Sequence, residues 1–470
     1  MDVNDLLKKP EHLAAFLSSL PYTAHELTGT RRTDLLAQAE TLRLRQPELK
    51  QMLAEKKAIA RQFRDASHDT RAELKKAMAR TSRALDALDN ELKAQRQSLI
   101  EQLTALMQPP EADATAQFQP WPVDDANPFT GEIKVTGWDD PLWVEWCLNQ
   151  PQRSQYHHPR LGSAIKKAMG HQGPVLLALN EGAVVGALPL VIQSSRLFGC
   201  FGTSLPYFNY GGPLANSTSV ALALIESARP LLAEHSLSHI EIRTTQAGLP
   251  YPCNEQKVSM LLPLPTTDKQ LDQQLGAKVR AQANKAEEHQ PVIRFGKTEL
   301  LDDFYRVFAH NMRDLGTPVY GKNWFRTLLQ IEAFKSQLAV VYQAQRPVAC
   351  GFLMGQGKLL EIPWASTLRR ANPMNINMWM YRHILRWAIE QGYEWFDFGR
   401  STRDAPTYQF KKQWGTKPVQ HYWYTLTAAN EPAAATRPDS PKFKLMIAIW
   451  QRLPVWLTRV IGPSIVKHLP

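Results

Sequence analysis

Trp395-Phe396-Asp397-Phe398-Gly399-Arg400-Ser401, followed a few residues later by Thr407-Tyr408-Gln409-Phe410-Lys411-Lys412-Gln413-Trp414-Gly415, decides how the chain is read. The first stretch predicts a strand at 395–398 closed by a glycine turn, and the second an aromatic, cationic loop. A strand end carrying backbone N–H groups and two lysines is a place where an oxyanion can be stabilised. Asp397 alternates with Phe396 and Phe398 and therefore faces away from both aromatics. There it serves either as a general base toward an acceptor ammonium or as the ion-pair partner of Arg400.

Working outward, the pattern predicts a helix at 375–391 before this strand. Strands at 358–364, 347–355 and 337–343 precede that helix, and a helix at 298–314 precedes them. An earlier cycle has strands at 174–180, 183–193, 239–244 and 257–263 and a helix at 217–235. Two such cycles make a tandem pair of α/β units. Upstream, Leu35, Leu42, Leu49 and Phe63 recur with one break at Lys56, and Ala39, Leu53 and Ala60 form a parallel row. Met78, Leu85, Leu92, Leu99 and Leu106 keep a strict spacing of seven. These heptads predict an antiparallel coiled-coil hairpin with arms at 31–64 and 71–107, turning at 65–70. Prolines and acidic residues at 108–132 mark a boundary. The expected domains are a hairpin at 1–110, a linker at 111–130, α/β units at 131–290 and 291–427, and a linker with a basic amphipathic tail at 428–470.

The chain has 470 residues, 44% hydrophobic and 21% charged, which disfavours disorder, collagen and polytopic membrane classes. The net charge of +11 calls for an anionic partner. It divides as +3 over 1–110, +4 over 111–430 and +4 over 431–470, so the tail is the densest part. Cys147, Cys200, Cys253 and Cys350 are far apart and read as reduced thiols. The start Met1-Asp2-Val3-Asn4-Asp5 shows no secretory h-region, and no uncharged apolar run reaches eighteen residues. His157-His158 point to different faces without a carboxylate or thiol nearby, so no metal site is expected. Ser-His-Asp, P-loop and dinucleotide-binding motifs are absent, which leaves hydrolase, NTPase and dehydrogenase readings unsupported.

With Tyr207-Phe208-Asn209-Tyr210-Gly211-Gly212 and Lys278-Val279-Arg280, the two opening stretches resemble the FemAB-like branch of the GNAT acyltransferase superfamily. More narrowly, they are similar to the FemAB-related proteins of exosortase/PEP-CTERM exopolysaccharide systems. The resemblance covers about 131–427. It implies an α/β (α+β) fold of tandem GNAT-like domains and direct transfer of an acyl or aminoacyl group to an amine. Acyl-CoA or aminoacyl-tRNA would be the co-substrate, with no permanently bound cofactor. Phe410 and Lys411 match the Phe-Lys pair that faces the reacting ester in tRNA-dependent members, the lysine stabilising charge on the leaving oxygen. Tyr207, Asn209, Tyr210, Lys278, Arg280, Arg400 and Ser401 are the substrate-binding candidates. For the turn Tyr207–Gly212 the alternative is a structural aromatic turn, and for Lys278 and Arg280 a solvated helix face. Arg369, Arg370 and Asn375 open a helix and are candidates for donor phosphate. The usual GNAT pyrophosphate signature is not cleanly present; the nearest match, Arg313-Asp314-Leu315-Gly316-Thr317-Pro318, fails at its last position.

The hairpin resembles the tRNA-binding arm of seryl-tRNA synthetases, with Lys50, Lys56, Lys57, Arg61 and Arg64 on one arm and Arg71, Lys75, Lys76, Arg80 and Arg83 on the other. A basic tip suits an RNA backbone, a protein partner or plain solvation. The tail, 443–469, with Trp450, Trp456 and Arg452, suits either a membrane interface or packing on the core. The reading expects a cytoplasmic N-acyltransferase, peripheral at the inner face of the membrane, acting on an amine-bearing envelope or glycan intermediate. The rival is a non-catalytic adaptor that binds tRNA or protein.

Overall fold

The computed structural model describes residues 10–19, 29–107, 116–122, 128–195, 199–429 and 441–469. The chain divides into two compact units, Met1–Pro110 and Glu111–Pro470. Residues 108–115, 123–127 and 430–440, which hold most of the two expected linkers, lie outside the described residues.

The first unit contains α1 (Pro10–Ser19), α2 (Gly29–Asp65) and α3 (His68–Met107). Leu35, Leu85, Leu92 and Leu99 are buried as the heptads require, and Leu88 and Leu103 supply the second row of α3. On α2 the second row keeps Ala39 and Ala60 half-buried but breaks between them, where Met52 is half-buried and Leu53 is 44% exposed. Lys56, the break in the seam, donates to Ser82 Oγ at 2.9 Å, so its head stays satisfied. Arg45 and Glu91 pair across the arms at 2.6 Å. Pro47 sits inside α2 on its exposed side, a position the heptads did not reveal.

In the second unit the first nine strands are β1 (Glu132–Thr136), β2 (Val175–Asn180), β3 (Ala183–Pro189), β4 (Val191–Ser195), β5 (Gly199–Thr203), β6 (Leu214–Ala215), β7 (Ile240–Thr244), β8 (Cys253–Asn254) and β9 (Lys257–Pro263). Seven more follow: β10 (Val292–Gly296), β11 (Gln337–Gln343), β12 (Arg346–Gln356), β13 (Leu359–Thr367), β14 (Trp395–Thr402), β15 (Lys417–Gln420) and β16 (Tyr422–Leu426). The helices are α4 (Pro141–Leu148), α5 (Arg160–Met169), α6 (Thr218–Glu226), α7 (Pro230–Glu234), α8 (Asp268–Gln274), α9 (Ala277–Ala286), α10 (Leu301–Leu315), α11 (Lys322–Leu329), α12 (Ile376–Glu390), α13 (Pro406–Lys412), α14 (Pro441–Trp450) and α15 (Val455–Val466).

The strands form sheets ordered β1-β2-β3-β6, β4-β5-β7-β16-β8 and β10-β11-β12-β13-β14-β9-β15. β12 is buried at every position after Arg346, the mark of a strand covered on both faces. α10 and α11 cover one face and α9 and α12 the other. The two halves trade strands. β9, from the first half, lies between β14 and β15, and β16, the last strand, pairs with β7 in the first half's sheet. Each half holds an antiparallel series ending in one parallel pair, β5 with β7 and β13 with β14. The body is therefore two halves of like topology, and the hairpin precedes them.

Two expected elements divide. The strand expected at 183–193 breaks at Leu190, and its parts join different sheets. The helix expected at 217–235 ends at Glu226 and restarts at Pro230, whose missing N–H suits a first turn. The tail forms α14 and α15, with Pro454 as the break and Pro463 accommodated inside α15. No helix among the described residues is long and apolar enough to cross a membrane.

Candidate active site

Both parallel pairs stop short. β5 and β7 part after Thr203↔Glu241, and β13 and β14 after Glu361↔Asp397. The chain beyond these points surrounds one cavity of about 790 Å³. Ile362, Trp364, Gly399 and Arg400 line it from the second half, and Tyr207, Phe208, Asn209 and Arg243 from the first. Gly399 has φ 75°, and a Cβ there would come within 2.9 Å of the Ile362 carbonyl oxygen, so only glycine lets the strands part at this place.

Glu361 is fully buried beneath this opening. Its Oε2 accepts from the Tyr156 hydroxyl and from Gln155 Nε2 (2.5 Å), and its Oε1 accepts from Asn209 Nδ2 (3.1 Å). Burial, and then the neighbouring Asp397 charge, push its carboxyl up to about 8 against the pull of Tyr156, Gln155 and Lys411. Asp397 Oδ1 accepts from the Gly399 N–H at 2.8 Å and the Met260 N–H at 3.2 Å. Burial raises its carboxyl too, opposed by Ser259, by these amides and by Lys411.

Lys411, on α13, is 8% exposed and lines the cavity. Its Nζ donates to the carbonyls of Gly399 (2.9 Å) and Arg400 (2.8 Å). Burial lowers its ammonium to about 8, while Asp397 and Glu361 pull the other way. Two carboxyls and one ammonium in a dry site are neutral only when one carboxyl keeps a proton, so the three titrate as a unit. The arrangement offers a stored proton position, a cation at the cavity wall, and a phenol between the carboxylate and the cavity.

The structure brings together Lys411, Phe410, Tyr207, Asn209 and Arg400, all of which line the cavity. Tyr207 has φ 76° and donates its hydroxyl to the Lys467 carbonyl at 2.9 Å. Tyr210 lies behind the wall, edge-on to Tyr156 at 5.0 Å, and Ser401 is buried on β14. Asp397 does not pair with Arg400. A register shift between the two residues turns the guanidinium away, to lie 5.3 Å over the Trp423 ring, whose other close cation, Arg243, is at 4.3 Å.

Other candidates move away from the cavity. Val279 and Ala283 turn the apolar side of α9 inward, leaving Lys278 exposed, while Arg280 donates to the carbonyls of Asp272 (2.9 Å) and Leu275. Arg369 is exposed and donates to the Asp314 carbonyl at 2.6 Å; Arg370 is exposed, and Asn375 is a left-handed cap with φ 54°. It is Asn372 and Asn377 of this segment that line the cavity. Arg313–Pro318, by contrast, spans the end of α10, with Gly316 as its left-handed cap, and its Leu315, Thr317 and Pro318 line the cavity. His157 is spent on Ser154 and on the Gly212 carbonyl (2.9 Å), and burial lowers it to about 4. Glu361, Tyr156 and Arg243 were not singled out from sequence. A lone carboxylate inside the apolar run Leu359-Leu360-Glu361-Ile362 was the available signal.

Residues 274–412 match the acetyltransferase (GNAT) domain family. The match spans α9 to α13 and includes Glu361, Asp397 and Lys411. No curated protein matches. Among solved structures, FemX is 12% identical, covering 67% of this chain and 100% of its own, with a TM-score of 0.47. A tandem GNAT protein from the clavulanic acid biosynthesis pathway is 11% identical over 64% of this chain and 99% of its own, at 0.41. The C-terminal domain of a putative lysylphosphatidylglycerol synthetase from Agrobacterium fabrum is 12% identical over 52% and 82%, at 0.39.

Proposed function

We propose that the chain is an N-acyltransferase of the FemAB-like type, in which an acceptor amine and an ester or thioester donor meet in the cavity between the halves of the body. The observation that carries this reading is the buried Glu361–Asp397–Lys411 group, linked to the cavity through Tyr156 and Asn209 at the point where β13 and β14 part. In the state in which the shared proton has left Glu361, the amine gives up its extra proton through the Tyr156 hydroxyl to that carboxylate and attacks the donor carbonyl. An N–C bond forms, the C–O or C–S bond breaks, and the nitrogen's remaining surplus proton goes to the leaving oxygen or sulfur. The Lys411 ammonium, steadied by the Gly399 and Arg400 carbonyls, faces the negative charge that develops.

The finer assignment is also a proposal. A donor tRNA would be held by the hairpin tip, where residues 56–83 carry nine Lys or Arg against three Asp or Glu. The acceptor would be an amine-bearing intermediate of envelope or exopolysaccharide synthesis. The test incubates the full chain with radiolabelled aminoacyl-tRNA or acyl-CoA and a panel of amino sugars and lipid-linked amines. Label should enter an amide with one donor class. Absence of transfer from both donor classes to every amine, while the chain still binds tRNA, would favour the adaptor reading and overturn this one.

A further inference from the structure

Half of the large apolar side chains that the described residues expose fall within sixteen positions: Leu445, Met446, Ile447, Ile449, Trp456 and Val460, at 39–68%. They belong to α14 and α15. The same segment, 441–470, carries Lys442, Lys444, Arg452, Arg459 and Lys467 and no Asp or Glu. This face is not a loosely attached end. Thr458, Gly462 and Val466 bury the opposite side of α15, and a Cβ on Gly462 would come within 3.0 Å of the Val319 backbone nitrogen. Arg313 donates to the Leu453 carbonyl at 3.0 Å, and Gln451 Nε2 to the Asp314 carbonyl at 3.2 Å. At the far end, the Lys467 carbonyl is bonded by His171 (2.9 Å), Gln193 (3.2 Å) and Tyr207 (2.9 Å). One side of the segment is thus fixed to the body, and the other presents apolar groups among cations.

We propose that α14 and α15 form a docking face for an anionic lipid bilayer, with Leu445, Met446, Trp456 and Val460 entering the interface and Lys444 and Arg452 meeting the headgroups. Charge chooses this occupant. A second copy of the segment would bring five more cations and no acid, whereas anionic headgroups complement both its charge and its apolar rim. The ten and twelve residues of α14 and α15 reach only about 15–18 Å at about 1.5 Å each, too short to span a hydrocarbon core of about 30 Å. The segment therefore lies on the bilayer. Val466 and Leu469, at its end, line the cavity, so docking brings the cavity to headgroup level and suits a lipid-borne acceptor. That consequence rests on the acyltransferase reading; the docking itself does not.

Flotation of the full chain with vesicles of phosphatidylglycerol and phosphatidylcholine in equal parts, against pure phosphatidylcholine, tests the proposal. The chain should float with the anionic vesicles and stay behind with the neutral ones. Trp456→Ser with Val460→Ser should weaken binding about tenfold or more. Lys444→Gln and Arg452→Gln should each weaken it about fivefold, and added salt should do likewise. All four side chains are exposed, so far-ultraviolet circular dichroism should be unchanged. Failure of the wild type to float, equal flotation of the Trp456/Val460 variant, or a dimer that this variant abolishes without any flotation would each overturn the proposal. Flotation needs neither donor nor acceptor, so a negative result leaves the catalytic reading standing.

Discussion

Glu361→Gln isolates the proton assigned to the buried group. The carboxyl stands at about 8 instead of the ordinary 4.5. At about 1.4 kcal/mol for each tenfold change in proton affinity, this sets a ceiling of about 5 kcal/mol on its contribution. The folded-state value lies above the unfolded one, so the folded chain holds the extra proton between them. That stabilisation is complete below pH 4.5 and is lost as pH rises through about 8. The glutamine cannot titrate. Wild type should therefore lose stability relative to the variant as pH rises from about 5 to about 8.5, by roughly 3–5 kcal/mol. All 13 tryptophans lie between Trp121 and Trp456, within the unit Glu111–Pro470. Urea unfolding followed by tryptophan fluorescence thus reads that unit alone. A difference that stays flat across the range would mean that Glu361 is ionised throughout, and the shared-proton argument would fail.

Three further outcomes are expected. Lys411→Met keeps the stem but removes the cation, and transfer at saturating donor by the folded variant should fall by about 10²–10³; an unchanged rate would remove the oxyanion role. Gly399→Ala forces a Cβ toward the Ile362 carbonyl at φ 75° and should cost about 1–3 kcal/mol in thermal unfolding, so a loss within about 0.5 kcal/mol would contradict the close approach described. Changing Arg61, Arg64, Arg71 and Lys75 to Gln should weaken filter binding of total tRNA. It should also flatten the plot of log K against log salt by about 0.7–0.9 for each phosphate that is no longer neutralised; an unaltered slope would withdraw the tRNA proposal.

Local patterns carried much of the fold. The heptads place both long helices to within three residues, since a seven-residue repeat is written along the chain itself. The apolar runs at Lys257–Pro263 and Gln337–Gln343 mark their strands to the residue. What they leave unread is partnership. β9 sits in the sheet of the half that follows it, and β10 has no fully buried residue and so no strong apolar signal. The site divides in the same way. Lys411 and Asp397 stand out because they sit in a dense aromatic stretch, but Glu361 gains meaning only when register sets it beside Asp397 and folding brings Tyr156 from 205 residues away. Lys278 and Arg369 lie at the exposed surface, outside the cavity lining; a cation near a helix start looks alike in sequence whether it faces a cavity or not.

The most direct test of the central claim is a crystal structure with a non-hydrolysable donor analogue and an amine acceptor. The account predicts the donor carbonyl within hydrogen-bond reach of Lys411 Nζ and the amine beside the Tyr156 hydroxyl, both in the cavity where β13 and β14 part. Donor density elsewhere, for instance in the groove of the first half lined by Trp138, His171 and His235, with this cavity empty, would contradict it.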